Sequence, residues 1–548
     1  MGSSKESTAG GFLKQGSILA VASIMVRIIG MVYRVPMANI IGDEGNGIYS
    51  AAYEIYNILL IISSYGMPMA VSKMVSARCA QKRYKNAFRL FRYSMVVSVI
   101  TGGTAALFVF FGADWIESQF FSKYNGVALP LRILAPTIFI VAVIGTLRGL
   151  FQGRKTMLPT AVSQVFEQVA NAFVSVFAAY FFMRAHSASD KLPAWGAAGG
   201  TLGTFMGAIA ALLTLAVIYY IYRPVIAKSE NKDKTSKVIQ AGQAYKIIAI
   251  TVIPIILSQT VYQLSGIVDV TLFNKLMDLK GVSDKLVSTM QGIYSTKYKL
   301  LVNVPLAVSS ALASSMIPSL VGSFAAGETG AVKSKVAMAV KINMIIAFPS
   351  AMGLAVLAEP IIRLLFPSSD YVTGGLMLIT GSVCIIFYAL STVTNGVLQS
   401  IDKMVLPVIH SLISLIVHIA IIAGLLMWTD MGIYALVAGN VTYPALVCVL
   451  NSRSLKKYLG YNQEVTRSFC IPLIASFIMG IVTLAVYYTL FLLTHKIYIA
   501  ILPAVIAAVI VYFILVLKLQ GLNRWELYEF PFGRRMSLLA DRLHLLKH

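Results

Sequence analysis

Six ionisable residues stand inside long apolar stretches of this sequence, where a charge is costly. They are Arg27 and Arg34 in the first apolar segment, Glu54 in the second, Asp269 in the seventh, and Lys297 and Lys299 in the eighth. A charged side chain in hydrocarbon costs at least about 2.5–3.5 kcal/mol on insertion scales, so it persists where it faces a polar cavity or a partner. Four of the six are cationic. Since the arginine fork matches phosphate oxygens, a cavity lined in this way suits an anion, and phosphate in particular.

Arg27 and Arg34 are the clearest pair in this set. They lie seven residues apart, which places them on one face of a helix. One alternative is that Arg34 extends to the outer membrane interface, or that Arg27 does the same from deeper in the segment. Another is that the charged residues form internal salt bridges that only hold the helices together.

The elements that carry these residues are apolar runs of about twenty residues, the length of a helix that crosses a bilayer. Strands of a membrane barrel would alternate over about ten residues, whereas these runs are continuous. The sequence therefore predicts an all-α polytopic membrane protein with about fourteen transmembrane helices. The segments start near Gly16, Gly47, Phe88, Val127, Met157, Trp195, Ala244, Gly292, Val336, Tyr371, Met404, Gly432, Phe469 and Ile497.

Composition agrees with a membrane protein. Of the 548 residues, 58% are hydrophobic and 12% are charged, and mean hydropathy is +0.78. Soluble domains carry roughly a quarter charged residues. In the sixth segment, Gly199, Gly203 and Gly207 repeat every four residues, which predicts a face for close helix packing.

The two halves of the chain resemble each other. GIYSAAYEIYNI is matched by GIYSTKYKLLVNV, GLFQGRKTMLP by GVLQSIDKMVLP, and GAAGGTLG by GIYALVAG. The matched pairs begin at Gly47 and Gly292, at Gly149 and Gly396, and at Gly196 and Gly432. Three matches in one order at nearly equal offsets indicate an internal duplication. They predict two parallel lobes related by a pseudo-twofold axis, with Glu54 and Lys299 at equivalent positions facing the lobe interface, where transporters bind substrates.

The predicted organisation has five parts. They are an N-terminal lobe of six helices (1–222), a cytoplasmic linker (223–243), a C-terminal lobe (244–460), two additional helices (461–519) and a cytoplasmic tail (520–548). Lysines and arginines concentrate in alternate loops, which predicts cytoplasmic N- and C-termini in a cell (plasma) membrane. The net charge of +23 is explained by these loops, so no nucleic-acid partner is predicted.

Catalytic and cofactor motifs are not found in the sequence. GLFQGRKT has three residues between Gly149 and Gly153 where a nucleotide-binding loop needs four, and no strand precedes it. No CxxC pair or metal-ligand cluster occurs. We therefore expect no enzyme activity, no metal and no cofactor, with transport coupled to an ion gradient or to the membrane potential.

The stretch RIIGMVYRVPMANIIGDEGNGIYSAAYEIYNIL, with fourteen segments in two halves, resembles the polysaccharide-transport branch of the multidrug/oligosaccharidyl-lipid/polysaccharide flippase superfamily, and there the SpoVB-like and MurJ-like lipid II flippases. The resemblance implies inner-to-outer translocation of an undecaprenyl-pyrophosphate-linked sugar, the peptidoglycan precursor lipid II, by alternating access. In MurJ-like proteins, cations of helices one, two and eight line the cavity. Arg27, Arg34 and Lys299 (or Lys297) match that pattern, whereas Glu54 departs from it.

Two other functions are compatible with this architecture. A cation-coupled drug or metabolite antiporter would favour a cavity of aromatic residues and carboxylates, which the excess of cations disfavours. A membrane enzyme acting on lipid-linked sugars would need an extramembrane catalytic site, and the loops are short. The predicted partners are therefore a lipid-linked oligosaccharide and the bilayer, and the oligomeric state is not predicted.

Overall fold

The computed structural model describes residues 3–121, 123–154, 156–233, 238–325, 327–523 and Glu526. These residues form helices and turns, with no β-strand among them, so the all-α prediction is confirmed for this part of the chain. Most of the predicted tail lies outside the described residues, as do residues 234–237 of the predicted linker.

Internal contacts divide the chain into two units, Met1–Thr296 and Lys297–His548. The helices of the first unit are α1 Ser3–Leu60, α2 Met67–Ala80, α3 Tyr84–Phe120, α4 Ala128–Gly153, α5 Leu158–Ala185, α6 Leu192–Asn231, α7 Ala241–Leu279 and α8 Asp284–Ile293. Two π-helical turns, Ile61–Tyr65 and Tyr294–Tyr298, follow α1 and α8. The domain boundaries proposed from the sequence stay predictions.

The second unit follows the π turn after α8. Its helices are α9 Lys299–Ala325, α10 Thr329–Val356, α11 Ala358–Leu365, α12 Tyr371–Gly381, α13 Cys384–Ser400, α14 Val405–Trp428, α15 Tyr434–Leu459, α16 Ile471–Thr494 and α17 Ile497–Lys518. A third π turn, Thr466–Cys470, leads into α16.

Ten helices of the described residues are long and apolar enough to cross a membrane. The number is eleven if α12 and α13, which meet at 48°, form one bent span. A multi-pass membrane protein is therefore confirmed, and the predicted count of fourteen is not. The first two predicted segments both lie in α1, which consists of two helical parts joined at a kink.

The kink in α1 lies at Gly42, in a stretch that the sequence suggested was a loop. Gly42 adopts φ 69° and ψ 176°, a conformation that a residue with a side chain rarely adopts. The wholly buried Asn46 donates its amide to the carbonyls of Ala38, at 2.8 Å, and of Gly42, at 2.6 Å. These hydrogen bonds occupy carbonyls beside the break, so the chain bends without leaving them unpaired in an apolar environment.

The packing face predicted for the sixth segment is confirmed by the contacts of α6 with α5. A Cβ atom on Gly203 would lie 2.0 Å from Ser175 Oγ, and one on Gly199 would lie 2.5 Å from the backbone nitrogen of Ala179. Because only glycine permits this approach, α5 is held close against α6. The two helices form one wall of the first unit.

Gly47 and Gly292, which open the first pair of matched segments, lie in contact where α1 crosses α8. A Cβ atom on Gly47 would lie 2.2 Å from the carbonyl oxygen of Ser288, and one on Gly292 would lie 1.9 Å from that of Asp43. Ser288 precedes Gly292 by four residues, as Asp43 precedes Gly47, so the two contacts are equivalent under the sequence repeat. Such reciprocal contacts are typical of a twofold interface. Ser288 Oγ also donates to the carbonyl of Glu44 at 3.1 Å.

An ion-pair cluster joins the α3–α4 turn to the α7–α8 turn. Lys123 Nζ lies 2.7 Å from Asp278 Oδ1 and 2.8 Å from Asp284 Oδ1. The hydrogen bond to Asp278, followed by that to Asp284, raises the pKa of Lys123 above its usual 10.5. Because the pKa of Lys123 is raised, the cluster contributes fully to the stability of the folded protein below the ordinary lysine pKa. This contribution is lost as pH rises through the raised value.

Replacing Asp278 and Asp284 together by asparagine is expected to return the pKa of Lys123 towards 10.5. The free-amine fraction at pH 9 then rises, so acetylation of Lys123 by a water-soluble reagent accelerates several-fold, as measured by mass spectrometry of its peptide. Lys191, in the turn before α6, serves as the internal control. Equal acetylation rates of Lys123 in the parent and the double variant would contradict the cluster.

Candidate functional site

Arg34 is an exposed cation beside a group of tyrosines on α1. Its guanidinium interacts electrostatically with the side chains of Tyr33, Tyr49 and Tyr53. Tyr33 and Tyr49 are each only 5% exposed, so the surface under Arg34 is built of buried phenols. The bend at Gly42 explains the arrangement, since it allows residues of both halves of α1 to meet. The polar surroundings of Arg34 are what an anion site requires.

Helices α5 and α6 hold these tyrosines. Asn171 of α5 donates its amide to the Tyr33 hydroxyl at 3.3 Å, and the Tyr53 hydroxyl forms a short hydrogen bond with that of Thr204 on α6. The rings of Tyr49 and Tyr53 are in contact, with centroids 4.6 Å apart. The first unit therefore contains a continuous polar network on α1, α5 and α6.

Arg27 lies on α1, seven residues before Arg34, and its side chain is exposed. The predicted shared face of the two arginines agrees with this position, because both side chains lie on one continuous helical stretch before the Gly42 kink. Two accessible guanidinium groups on one face offer the planar donor pairs that bind phosphate oxygens.

Glu54 lies at the contact of α1 with α7, and Asp269 is a buried residue of α7. Glu54 is half-buried, and its Oε2 lies 2.7 Å from the position that a Cβ atom on Gly266 would occupy. Asp269, which is 6% exposed, follows Gly266 by about one helical turn. Because a side chain at position 266 would collide with the Glu54 carboxylate, this glycine lets Glu54 pack against α7.

Lys297 and Lys299 belong to the second unit and differ in their surroundings. Lys297 is 1% exposed, and its Nζ lies 4.9 Å from the centroid of the Phe366 ring, a cation–π contact. Lys299 is half-buried and begins α9 directly after the π turn. The accessible member of this pair is therefore Lys299. It stays a prediction that the six ionisable residues identified in the sequence form one site.

The tyrosines of this network are not among the site residues predicted from the sequence. Tyr49, Tyr53 and Tyr56 follow one another at intervals of four and three residues, which places them on one helix face. That spacing was the available signal. Asn171, the partner of Tyr33, and Thr204, the partner of Tyr53, lie more than a hundred residues away in the chain, so no local pattern connects them.

The described residues therefore define a multi-pass membrane protein with ten helices long and apolar enough to cross a membrane and an exposed arginine beside a polar network. Residues 12–324 match the family described as "Polysaccharide biosynthesis protein", so the chain belongs to that family. The resemblance to the polysaccharide-transport flippases seen in the sequence is confirmed by this match and by the relatives described next.

Two relatives come from Bacillus subtilis (strain 168). "Lipid II flippase MurJ" is 25% identical over 487 residues, covering 86% of this chain and 88% of its own length. "Stage V sporulation protein B" is 24% identical over 532 residues, covering 96% of this chain and 99% of its own length. A solved structure titled "Lipid II flippase MurJ, inward closed conformation" has a similar fold, with a TM-score of 0.65 and 17% identity over 91% of this chain and 97% of that chain.

Proposed function

We propose that this protein is a flippase that moves an undecaprenyl-pyrophosphate-linked sugar, lipid II in particular, from the inner to the outer leaflet of the plasma membrane by alternating access. The observation that carries the proposal is the exposed Arg34 guanidinium beside the hydroxyls of Tyr33, Tyr49 and Tyr53. The lipid II flippase among its relatives supports the same substrate class. Both termini lie in the cytoplasm.

In this proposal Arg27, Arg34 and Lys299 bind the diphosphate. Each oxygen of a diphosphate accepts hydrogen bonds, and charge-assisted hydrogen bonds from guanidinium groups are roughly twice as strong as neutral ones. Glu54 and Asp269 accept hydrogen bonds from hydroxyl groups of the sugar. The polyprenyl tail stays in the bilayer throughout, so that only the headgroup crosses.

The membrane potential supplies a driving force that needs no cofactor. Moving one charge across the membrane is worth about 2.3 kcal/mol per 100 mV. A diphosphate with about two negative charges that moves outward from an inside-negative cell would gain about 4–5 kcal/mol on this scale. Binding and release at a cationic site then suffice for directional transport.

The test is translocation by the purified protein in proteoliposomes. A fluorescent polyprenyl-diphosphate sugar is placed in the inner leaflet, and its arrival outside is followed with a membrane-impermeant quencher. We expect transfer that is faster than in protein-free liposomes and that accelerates with an inside-negative potential. Uptake of organic cations without transfer of the lipid would overturn the proposal in favour of a drug antiporter.

Lys299 and Lys297 are expected to respond differently to mutation. Lys299→Ala should slow lipid transfer about tenfold or more, because a hydrogen bond to a charged group contributes about 1.5–3 kcal/mol and 1.4 kcal/mol corresponds to a factor of ten. Lys297→Met keeps the buried chain against Phe366 and should change the rate by less than about twofold. The proteoliposome assay measures both. A larger loss for Lys297→Met, in correctly folded protein, would contradict this assignment.

A further inference from the structure

The tyrosines around Arg34 form a supported network, and their support lies on other helices. The Tyr33 hydroxyl both interacts with Arg34 and accepts a hydrogen bond from Asn171. Asn171 is itself fixed, because its Oδ1 accepts a hydrogen bond from Ser175 Oγ at 2.8 Å. Ser175 Oγ in turn lies 2.9 Å from the carbonyl of Gly200 on α6. Arg34 is thus linked through Tyr33 to the close packing of α5 on α6.

A second connection passes through Tyr53. Its hydroxyl is bonded to that of Thr204, and its ring is in contact with those of Tyr49 and Tyr56. The electrostatic partners of Tyr53 include Arg34. An arginine side chain has many rotamers, and fixing it in advance reduces the entropy lost on binding. Tyr33 and Tyr53, each anchored by a hydrogen bond to another helix, provide such a restraint.

Tyr49 differs from its neighbours. It is 5% exposed and lies beside Arg34, and a Cβ atom on Gly200 would lie 3.2 Å from its ring. Its hydroxyl is close to that of Tyr53 but makes no hydrogen bond of good geometry within the described residues. A buried hydroxyl without a well-formed hydrogen bond costs free energy, and such atoms often mark sites of ligand binding.

We infer that Tyr33 and Tyr53 position the Arg34 guanidinium and that the Tyr49 hydroxyl is a second ligand-binding group, donating a hydrogen bond to the same diphosphate oxygens. The inference rests on the proposed role of Arg34 as an anion-binding residue. It makes the site a guanidinium–phenol pair selective for a polyanion, with Tyr33 and Tyr53 acting only through Arg34.

The test measures binding of polyprenyl diphosphate, inorganic pyrophosphate and uncharged polyprenol to the full-length protein in detergent, by thermophoresis. Tyr49→Phe removes only the hydroxyl and is expected to weaken binding of both diphosphates about tenfold, the effect of losing one charged hydrogen bond. Tyr33→Phe and Tyr53→Phe should weaken it about two- to tenfold. Polyprenol binding should be unchanged in all three variants.

Tyr56→Phe is the matched control. Tyr56 is also 5% exposed and packs on Tyr53, but its charged neighbour is Glu167 rather than Arg34. We expect diphosphate affinity of this variant within about twofold of the parent. Equal loss of polyprenol and diphosphate binding in Tyr49→Phe would show a general disturbance and overturn the inference.

An Arg34→Lys background separates positioning from simple stability. Lysine has no planar fork to orient, so adding Tyr33→Phe to Arg34→Lys should weaken diphosphate binding by less than about twofold. Full additivity of the two changes would overturn the positioning role. If Arg34→Ala itself leaves diphosphate affinity intact, the proposed function fails; if Arg34→Ala abolishes binding while all three tyrosine variants bind normally, only this inference fails.

Discussion

Arg34→Ala is expected to slow translocation of the diphosphate-linked lipid by about a hundredfold or more. Removing a guanidinium that binds a diphosphate through two charge-assisted hydrogen bonds costs about 3–6 kcal/mol of binding free energy, at about 1.5–3 kcal/mol for each bond. That range corresponds to about two to four powers of ten. The transfer rate of Arg34→Lys should lie between those of the parent and of Arg34→Ala, because a lysine keeps the charge but not the bidentate geometry.

The control for this experiment is Arg132→Ala. Arg132 is a partly exposed arginine on α4 of the first unit. Its guanidinium forms an ion pair with Asp114 Oδ2 on α3, at 2.5 Å. Exposed ion pairs contribute about 0–1 kcal/mol, so this variant should transfer lipid at close to the parent rate. Each variant is compared at equal amounts of monodisperse protein. If the double variant Arg27→Ala/Arg34→Ala transfers lipid at the parent rate, the proposal that these arginines bind the diphosphate is wrong.

The membrane class and the two arginines could be predicted because both depend on local composition. Apolar runs of about twenty residues determine helices in a bilayer, and a seven-residue interval fixes a helix face whatever else surrounds it. The number of spans could not be predicted in the same way. Hydropathy does not locate the kink at Gly42 where the two helical parts of α1 meet, and the Asn46 hydrogen bonds that permit the bend depend on three-dimensional geometry.

The two lysines show a second limit. The resemblance left Lys297 as an alternative to Lys299 for the cation of the eighth helix. The π turn Tyr294–Tyr298 changes the register just before Lys299, and Phe366 covers Lys297. A π turn has no strong sequence signature, and the ring that covers Lys297 is distant in the chain. The burial of Lys297 and the partial exposure of Lys299 therefore follow from packing rather than from local pattern.

Gly292→Ala is expected to disrupt the crossing of α1 and α8. The new methyl group would lie 1.9 Å from the carbonyl oxygen of Asp43, far inside van der Waals contact, and a backbone atom cannot rotate away as a side chain can. Overpacking of this kind costs about 1–3 kcal/mol, and occasionally more, because the helices must separate. We expect a lower apparent melting temperature of the purified protein and slower lipid transfer.

Gly112→Ala on α3 is the matched control, since a Cβ atom there would have nothing within 4 Å. This variant should be neutral or slightly more stable, because alanine favours a helix by up to about 1 kcal/mol over glycine. A melting temperature for Gly292→Ala equal to that of Gly112→Ala would contradict the close crossing.

The duplication makes a sharper prediction about the same crossing. Gly47→Ala places its methyl group 2.2 Å from the Ser288 carbonyl, the contact equivalent to that of Gly292 with Asp43, so the two single variants should lose similar stability. The double variant should lose less than the sum, because helices already separated by one methyl group make room for the other. Strictly additive losses in melting temperature would mean that the two glycines act at independent places. The two glycines would then not share one close crossing of α1 and α8.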